Sequence, residues 1–221
     1  MKKGIKNLLD LIFPRPKHPT LNQPGLHLRW RIGWIKGWVF RPYWKTLTLL
    51  GIAPKIYIGR RFSLIGRFIP RGPGKLFIGD DVIVSGITTP FTHSSNAEIH
   101  IGNAVFLNGT RFGASESILV GDECILADAR IMDTDFHSTG LNRNSPTAPI
   151  EVRPIRIERN VWVAAQAAVL KGVRIGEGSV VGFGAVVTRS IPPAVIVSGN
   201  PAQTVKALNK VTTNDRTTIQ Q

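Results

Sequence analysis

Aliphatic side chains recur at every sixth position in the C-terminal half of this chain. The uninterrupted run consists of Ile157, Val163, Val169, Ile175, Val181 and Val187. Four positions after several of them stands a small or β-branched residue, namely Val161, Ala167, Val173, Ser179 or Ala185. Helices and ordinary strands repeat about every 3.6 and 2 residues, whereas a hexapeptide period is typical of a parallel β-helix built from triangular coils. The pattern predicts an all-β parallel β-helix, with the aliphatic side chains inside and the small ones at its corners.

The same period extends upstream in shorter stretches. They begin at Ile78, Ile101 and Val120, and the third predicts that Leu126 and Met132 point inward. Each stretch opens with Ile-Gly or Val-Gly and a short polar residue, which suits the positive φ of a tight corner. The β-helix is therefore expected to occupy most of the chain.

The period breaks after Met132, where a repeat is expected at position 138 but the frame resumes only at Ile157. The inserted residues, 138–156, include Pro146, Pro149 and Pro154. Prolines at this density predict a long loop that leaves the coil. Long loops in compact folds are often functional, so this loop is the first place to look for chemistry.

Charge divides the chain into two unequal parts. Residues 1–75 hold sixteen Lys or Arg and one acid, whereas residues 76–221 hold twelve basic and thirteen acidic residues, so the net charge of +14 comes from the N-terminal part. We predict three regions along the 221 residues. They are an irregular, basic, Trp-rich N-terminal segment or cap at 1–55, a β-helix at 56–208 and a disordered tail at 209–221.

Four of the five tryptophans lie among the basic residues of the N-terminal segment: Trp30, Trp34, Trp38 and Trp44. Tryptophan interleaved with cations suits the headgroup region of an anionic membrane, so residues 1–45 are a candidate for peripheral membrane contact. The alternative is a cap whose aromatic rings pack on the open end of the β-helix. Gly33 weakens a helix here. No nucleic-acid motif accompanies the charge, so nucleic acid is not an expected partner.

The single cysteine, Cys124, rules out an internal disulfide and fits a reducing compartment. It occupies a small-residue position of the repeat, which favours a buried structural thiol over a nucleophile. No run of eighteen apolar residues is present, and the N-terminus lacks the small-residue cleavage site of a secretory signal. The expected location is the cytoplasm, including the inner face of the membrane.

Candidate chemistry concentrates in the run Asp133-Thr134-Asp135-Phe136-His137, where the coil opens into the loop. Imidazole titrates near neutral pH and can take a proton from a hydroxyl that attacks a thioester carbonyl. Residues two apart in a strand share a side, so Asp133, Asp135 and His137 can line one surface. The two carboxylates either orient the imidazole or contact acceptor hydroxyls. Asp135 is thus a catalytic candidate and Asp133 a substrate-binding candidate.

Taken together, these residues resemble the left-handed β-helix hexapeptide acyltransferases over residues 56–208. The similarity is to the branch of galactoside, maltose, Nod-factor and polysaccharide O-acetyltransferases. It is carried by Asn108, by the Asp133–His137 run, and by the motifs Val161-Trp162-Val163, Leu170-Lys171-Gly172-Val173, Val186-Val187-Thr188, Ile191-Pro192-Pro193 and Gly199-Asn200-Pro201-Ala202. Each motif is weak alone, but their combined order is specific.

The resemblance implies an acetyl-CoA-dependent O-acetyltransferase acting on a sugar hydroxyl, in cell-surface polysaccharide biosynthesis. It implies a homotrimer with active sites between subunits, His137 as general base, Asn108 at the catalytic and acceptor site, and no metal. The residues that it places along the CoA groove are Trp162, Ala165, Thr188, Arg189, Asn200 and Pro201. Phe183 joins them as a departure from the family pattern, because a small residue is usual between the two flanking glycines. Its ring is expected to narrow the pantetheine channel or to stack on the ligand.

Three other functions use the same fold. A xenobiotic (antibiotic) acetyltransferase shares the reaction, and a non-catalytic scaffold shares only the coil. A γ-class carbonic anhydrase needs three histidines on zinc. His100 and His137 have a suitable separation for that site, but Asn142 stands where the third histidine is expected.

Overall fold

A computed structural model describes residues 26–51 and 55–208 of the chain. The helix α1 (Leu26–Leu49) comes first, and twenty short β-strands follow it. Within these residues no helix is both long and apolar enough to cross a membrane. The expected disordered tail at 209–221 and residues 1–25 of the expected membrane-contact segment lie outside the described residues.

The strands follow one another in coils of three. The first three coils contain β1 (Lys55–Ile58), β2 (Ser63–Leu64), β3 (Arg67–Phe68), β4 (Lys75–Ile78), β5 (Ile83–Ser85), β6 (Ile87–Thr92), β7 (Glu98–Ile101), β8 (Phe106–Asn108) and β9 (Arg111–Ala114). The next three contain β10 (Ser117–Val120), β11 (Ile125–Ala127), β12 (Arg130–Met132), β13 (Ile155–Ile157), β14 (Trp162–Val163), β15 (Ala168–Val169), β16 (Arg174–Ile175), β17 (Val180–Val181) and β18 (Val186–Val187). The stack is completed by β19 (Val195–Ser198) and β20 (Gln203–Ala207).

Corresponding strands of successive coils pair in parallel and form three flat sheets. Sheet A has the order β1-β4-β7-β10-β13-β16, sheet B the order β2-β5-β8-β11-β14-β17-β19-β20, and sheet C the order β3-β6-β9-β12-β15-β18. The register stacks equivalent positions in columns, so that Ile101 lies beside Val120 and Val120 beside Ile157. β20 is the exception, because it pairs antiparallel with β19 and covers the edge of sheet B. The predicted parallel β-helix is confirmed.

The hexapeptide period is confirmed as the pattern of the core. The aliphatic residues at every sixth position from Ile157 to Val187 are each at most 1% exposed. The corner residues of the same run are buried to the same extent. The one polar corner residue, Ser179, is paired through its hydroxyl, which donates to Pro192 O at 2.8 Å and accepts from Val195 N–H at 3.2 Å. The period was wrong at Met132. Ile131 is the fully buried residue there, because it stands five positions after Leu126 rather than six.

The Ile-Gly-polar motifs form ladders along one corner of the coils. Asp80 Oδ1 accepts a hydrogen bond from Arg60 N–H (2.7 Å), Asn103 Oδ1 from Asp80 N–H (2.9 Å), and Asp122 Oδ1 from Asn103 N–H (2.6 Å). A Cβ at Gly79 would lie 2.7 Å from Asn103 Oδ1 and from the backbone of the next coil. The glycine is therefore required by the close stacking of the coils, and the short polar residue satisfies a backbone donor of the preceding coil.

The prediction of an irregular N-terminal segment was wrong for residues 26–49, which form α1. One face of this helix packs on the first coils: Trp30 is buried against Ile83, and Phe40 stacks on Trp44 and Phe62. The glycines, which lower helix propensity, sit on this face because the helix lies very close to the coil. A Cβ at Gly37 would lie 1.9 Å from Phe62 O. Packing therefore outweighs local propensity.

Substituting Gly37 with alanine is expected to destabilise the protein by about 1–3 kcal/mol, because the added methyl group meets the backbone carbonyl of Phe62, just before β2. Alanine is intrinsically better than glycine in a helix by about 1 kcal/mol, so the sign of the measured effect separates the clash from the propensity. Ile35→Ala on the exposed face of α1 is the control. Thermal unfolding followed by circular dichroism measures both, and a stabilised Gly37→Ala protein contradicts the close contact.

Candidate active site

The inserted loop leaves and re-enters the coil at the same point. It lies between Met132 and Ile155, so its observed bounds are 133–154 rather than the predicted 138–156. Its two ends pair: Arg153 N–H donates to Asp133 O (2.9 Å), Asp135 N–H donates to Glu151 O (3.2 Å), and an antiparallel bridge joins the residues between them. The loop therefore projects from a braced base on the coil.

His137 lies just beyond this braced base and is exposed to solvent. Among the described residues, no hydrogen bond or ion pair engages its imidazole ring. The preceding residue, Phe136, has φ +60°, and its N–H donates to Thr134 Oγ1 at 3.2 Å. This turn directs the chain away from the coil, so the imidazole can meet a ligand that arrives from outside.

The structure does not place Asp133, the predicted substrate-binding residue, on the surface beside His137. The residue is fully buried, Ser115 N–H donates to its Oδ1 (2.7 Å), and Glu116 N–H donates to its Oδ2 (2.9 Å). Burial raises the pKa of this carboxyl above its ordinary value, although these hydrogen bonds act in the opposite direction. Asp133 therefore anchors the loop to the coil of β9 and β10.

The carboxylate of Asp135 binds Lys171 rather than the imidazole of His137. Its Oδ1 accepts a hydrogen bond from Lys171 Nζ at 2.7 Å, and the same ammonium lies 3.2 Å from Glu151 Oε2. The hydrogen bond to Asp135 raises the pKa of Lys171. Lys171 thus ties both ends of the loop base to the corner after β15. The expectation of Asp135 as a carboxylate that orients the histidine is replaced by a role in bracing the loop.

Replacing Lys171 with methionine is expected to weaken the loop base, because Asp135 then loses its cationic partner in a mostly buried site. Asp135→Asn tests the other partner. In a double-mutant cycle we expect a coupling free energy of about 1–2 kcal/mol from urea unfolding. Exposed Lys206→Met, combined with Asp135→Asn, serves as the control pair. Additive single effects in the Lys171 cycle argue against the brace.

A cluster of aromatic side chains beside the loop was missed by the sequence analysis. The ring of His93 lies edge-on between Phe91 (4.2 Å between centroids) and Phe136 (4.5 Å). Phe136 and His93 lie over Gly113, where a Cβ would be 2.7 Å from the Phe136 ring. Burial lowers the pKa of His93, opposed by the nearby charge of Asp133. The detectable signal was the alternation of Phe91 and His93, which puts both on the outer side of one strand.

The three sheets form a three-sided prism, and several predicted site residues lie along one of its edges. We call this edge, where sheets B and C meet, the B–C edge. Asn108 ends β8 there, and residues of the following coils stack on it through backbone hydrogen bonds such as Gln166 N–H to Asp128 O and Gly184 N–H to Ala165 O. The predicted residues on this edge are Asn108, Ala165, Phe183, Asn200 and Pro201. Trp162 adjoins it on the outer side of β14 and is half exposed, and Phe183 projects with 66% of its surface exposed.

The remaining predicted residues lie along a second edge, the corner between sheets C and A, which we call the C–A edge. Thr188 and Arg189 follow β18 there and are exposed, and Lys171 follows β15 one coil earlier. The loop with His137 springs from the same edge after β12. The strands of sheet C separate the two edges within one chain. In this chain Asn108 and His137 therefore lie on different edges of the coil.

Cys124 is confirmed as a buried structural thiol. It is fully buried, and its Sγ donates to Glu158 O at 3.0 Å. Burial raises its pKa to about 12, so the thiolate needed for nucleophilic attack is scarce at neutral pH. Elsewhere, no group of three or more His, Cys, Asp or Glu side chains in residues 26–51 and 55–208 is placed to hold a metal ion.

Comparison with known proteins gives matches to one group of transferases. The family model for the bacterial transferase hexapeptide (six repeats) matches residues 154–189. A Schizosaccharomyces pombe protein whose name describes it as an acetyltransferase is 32% identical over 187 residues, which cover 79% of this chain and 89% of that protein. The galactoside O-acetyltransferase of Escherichia coli is 29% identical over 126 residues, or 56% of this chain and 61% of that enzyme.

Solved structures share the coil at lower sequence identity. A polysialic acid O-acetyltransferase superposes with a TM-score of 0.55 at 24% identity, covering 75% of this chain and 83% of that one. An N-acyltransferase from Bacillus cereus, in complex with dTDP and 3-hydroxybutyryl-CoA, superposes with a TM-score of 0.56 at 19% identity, covering 74% and 88%. At these identities the likeness concerns the fold.

Proposed function

The chain belongs to the hexapeptide-repeat acetyltransferases, and from this premise we propose that it moves an acetyl group from acetyl-CoA to a sugar hydroxyl, with His137 as general base. The observation that carries the proposal is the exposed imidazole of His137, which stands just beyond the braced base of the loop on the C–A edge. Among the described residues, no hydrogen bond or ion pair occupies this ring. Acetyl transfer to oxygen needs a base that reaches an incoming hydroxyl, and the braced loop presents one to solvent.

The reaction needs no covalent intermediate on the protein. His137 accepts the hydroxyl proton while the acceptor oxygen attacks the thioester carbonyl carbon. The tetrahedral oxyanion is met by backbone N–H groups of the coil, as in other acyl transfers. When it collapses, the C–S bond breaks, and the imidazolium returns its proton to the CoA sulfur. The products are the acetyl ester and free CoA.

We propose that the active enzyme is a homotrimer in which two edges of different chains face each other. The B–C edge of one subunit then supplies Asn108 to shape the acceptor site, and the C–A edge of its neighbour supplies His137. Closed symmetric assembly repeats this arrangement three times. The near-neutral charge of residues 76–221 allows the coils to approach one another closely.

Along the B–C edge we propose the groove for acetyl-CoA. The small side chain of Ala165 leaves room for an extended pantetheine arm. Trp162 offers a ring surface, and the exposed ring of Phe183 can stack on the CoA molecule. The Asn200–Pro201 turn closes the groove at the end of the stack. On the facing C–A edge, Arg189 is exposed and can pair with a CoA phosphate. A bound donor would therefore touch two subunits.

The acceptor is proposed to be a glycan of cell-surface polysaccharide assembly, modified on the cytoplasmic side. The aromatic cluster of Phe91, His93 and Phe136 lies next to His137, and rings of this kind present apolar surface to the C–H faces of a sugar. The basic N-terminal part of the chain suits an acidic glycan or the membrane at which glycans are assembled.

The test is the release of CoA from acetyl-CoA in the presence of a panel of neutral and acidic sugars, oligosaccharides and one aminoglycoside antibiotic. Turnover with a sugar class, and appearance of its O-acetyl ester by mass spectrometry, supports the proposal. Turnover with the antibiotic alone replaces it with the xenobiotic function. If no acceptor supports turnover and calorimetry detects no acetyl-CoA binding, the coil is a scaffold.

A further inference from the structure

The outward face of α1 carries an uncovered band of large apolar side chains. Trp38 is 66% exposed and Leu49 is 77% exposed, and the band also includes Ile32, Ile35, Val39, Tyr43 and Leu50. At 3.6 residues per turn, Trp38 through Tyr43 span an arc of roughly 140° on the side opposite the coil. A helix that is apolar on both faces is normally covered on both. The coil covers one face only.

Cations flank this band on both sides. Arg29 and Lys36 lie along one border, and Arg41 and Lys45 along the other, as the helical positions require. The sequence contains no acidic residue between positions 26 and 79, so this surface has no carboxylate of its own. Asp80, the first acid after the helix, already pairs with Arg60. The band therefore lies in a field of positive charge.

A cleft of about 720 Å³ opens along one border, between α1 and the first coil. Its wall from the helix includes Trp38, Arg41 and Lys45, and its wall from the coil includes Tyr57. An apolar groove with two cations at its mouth matches the boundary between the acyl chains and the phosphate of a phospholipid. The cleft is a second observation at the same place, because it adds Tyr57 of the coil and the cations Arg41 and Lys45 to the exposed band.

We propose that the outward face of α1 docks in the plane of an anionic phospholipid bilayer, with lipid phosphates held by Arg41 and Lys45 at the cleft. The apolar band enters the headgroup boundary, as in-plane amphipathic helices do. A second copy of the chain fits this face poorly, because a twofold contact sets the same cations against each other. Docking here puts the coil and its loop at the membrane surface.

The experiment is flotation of the full-length protein with vesicles of phosphatidylcholine alone or of phosphatidylcholine mixed with phosphatidylglycerol. We expect binding only to the mixed vesicles, and its loss at high salt. Lys36→Gln/Lys45→Gln is expected to weaken partition roughly 30-fold, from about 1 kcal/mol per surface cation. Arg111→Gln/Lys206→Gln removes the same charge elsewhere and should bind like the wild type.

The apolar contribution has its own matched pair. Val39→Gln is expected to weaken partition about tenfold, because one valine no longer enters the boundary. Val205→Gln, at an exposed valine on β20, should have no effect. The proposal is overturned if a helix variant and its control variant lose the same amount of vesicle binding. It is also overturned if the wild type binds equally well to neutral vesicles. A changed oligomeric state of the Lys36/Lys45 variant by light scattering assigns the face to a second copy instead. Because no acetyl-CoA is present, the outcome is independent of the proposed reaction.

Discussion

Replacing His137 with alanine is expected to lower the turnover number for acetyl transfer by about 10²- to 10⁴-fold, the usual contribution of a general base. The fold and the CoA groove should be unaffected, because the imidazole makes no hydrogen bond or ion pair with any described residue and is exposed to solvent. The dissociation constant for acetyl-CoA, measured by calorimetry, should therefore match that of the wild type. Loss of turnover with intact donor binding identifies a residue that acts on the acceptor.

His100→Ala is the matched control for this substitution. His100 is half exposed on sheet A, stacks on Phe77 at 4.4 Å and pairs with Glu98 at 2.9 Å, away from the loop. It should retain the wild-type rate. A His137→Ala enzyme that keeps its turnover shows that another group takes the proton, and His93, beside the loop, is then the next candidate.

Mixing two inactive variants is expected to restore activity, because the proposed site takes Asn108 and His137 from different chains. His137→Ala and Asn108→Ala are each expected to be inactive as pure trimers. After joint refolding in equal amounts, a chain with intact His137 meets a neighbour with intact Asn108 at about a quarter of the interfaces. The specific activity should therefore rise from near zero to about a quarter of the wild-type value.

The control mixture contains wild-type chains and chains with both substitutions. Sites shared between subunits give about a quarter of wild-type activity here too, whereas sites within one chain give about a half. The single-variant mixture separates the models still more sharply, since sites within one chain stay inactive there. Inactivity of that mixture, with trimers present by light scattering, would mean that both residues serve a site within one chain.

The period of the sequence was sufficient to predict the coil. In a β-helix, each inward position is surrounded by its counterparts in the coils above and below, so the sequence must repeat wherever the structure does. Ile157, Val163 and Val169 could therefore be assigned to the core without coordinates. The error at Met132 arose because one corner is a residue shorter, and a fixed period cannot register such a change.

The helix α1 could not be predicted from local preferences. Gly33 and Gly37 argue against a helix when the segment is considered alone, and the glycines are explained only by residues 62–65 of the first coil, which lie against them. The same holds for Trp30, whose burial depends on Ile83 in the second coil. The position of the glycines and the burial of Trp30 both depend on contacts between segments distant in sequence. Helix propensity is a local property and does not include such contacts.

The roles of the acids were decided by tertiary structure as well. The sequence placed Asp133, Asp135 and His137 on one strand-like surface, yet Asp133 turns inward to two backbone donors and Asp135 turns to Lys171. Lys171 is thirty-six residues from Asp135, and the loop had to return before the two could meet. Alternation along an extended segment indicates on which side a side chain lies, but it does not identify the hydrogen-bond partner on that side.

By itself, the sequence determined the architecture, the position of the insertion and the histidine beside it, since each is written in spacing that a regular coil imposes. Only the tertiary structure decided how the site residues are distributed. It placed Asn108 on the B–C edge and His137 on the C–A edge, and it left the outward face of α1 uncovered by the other described residues. These facts depend on how the coil turns at its corners and on what packs against it, and both follow from contacts between residues far apart in the chain.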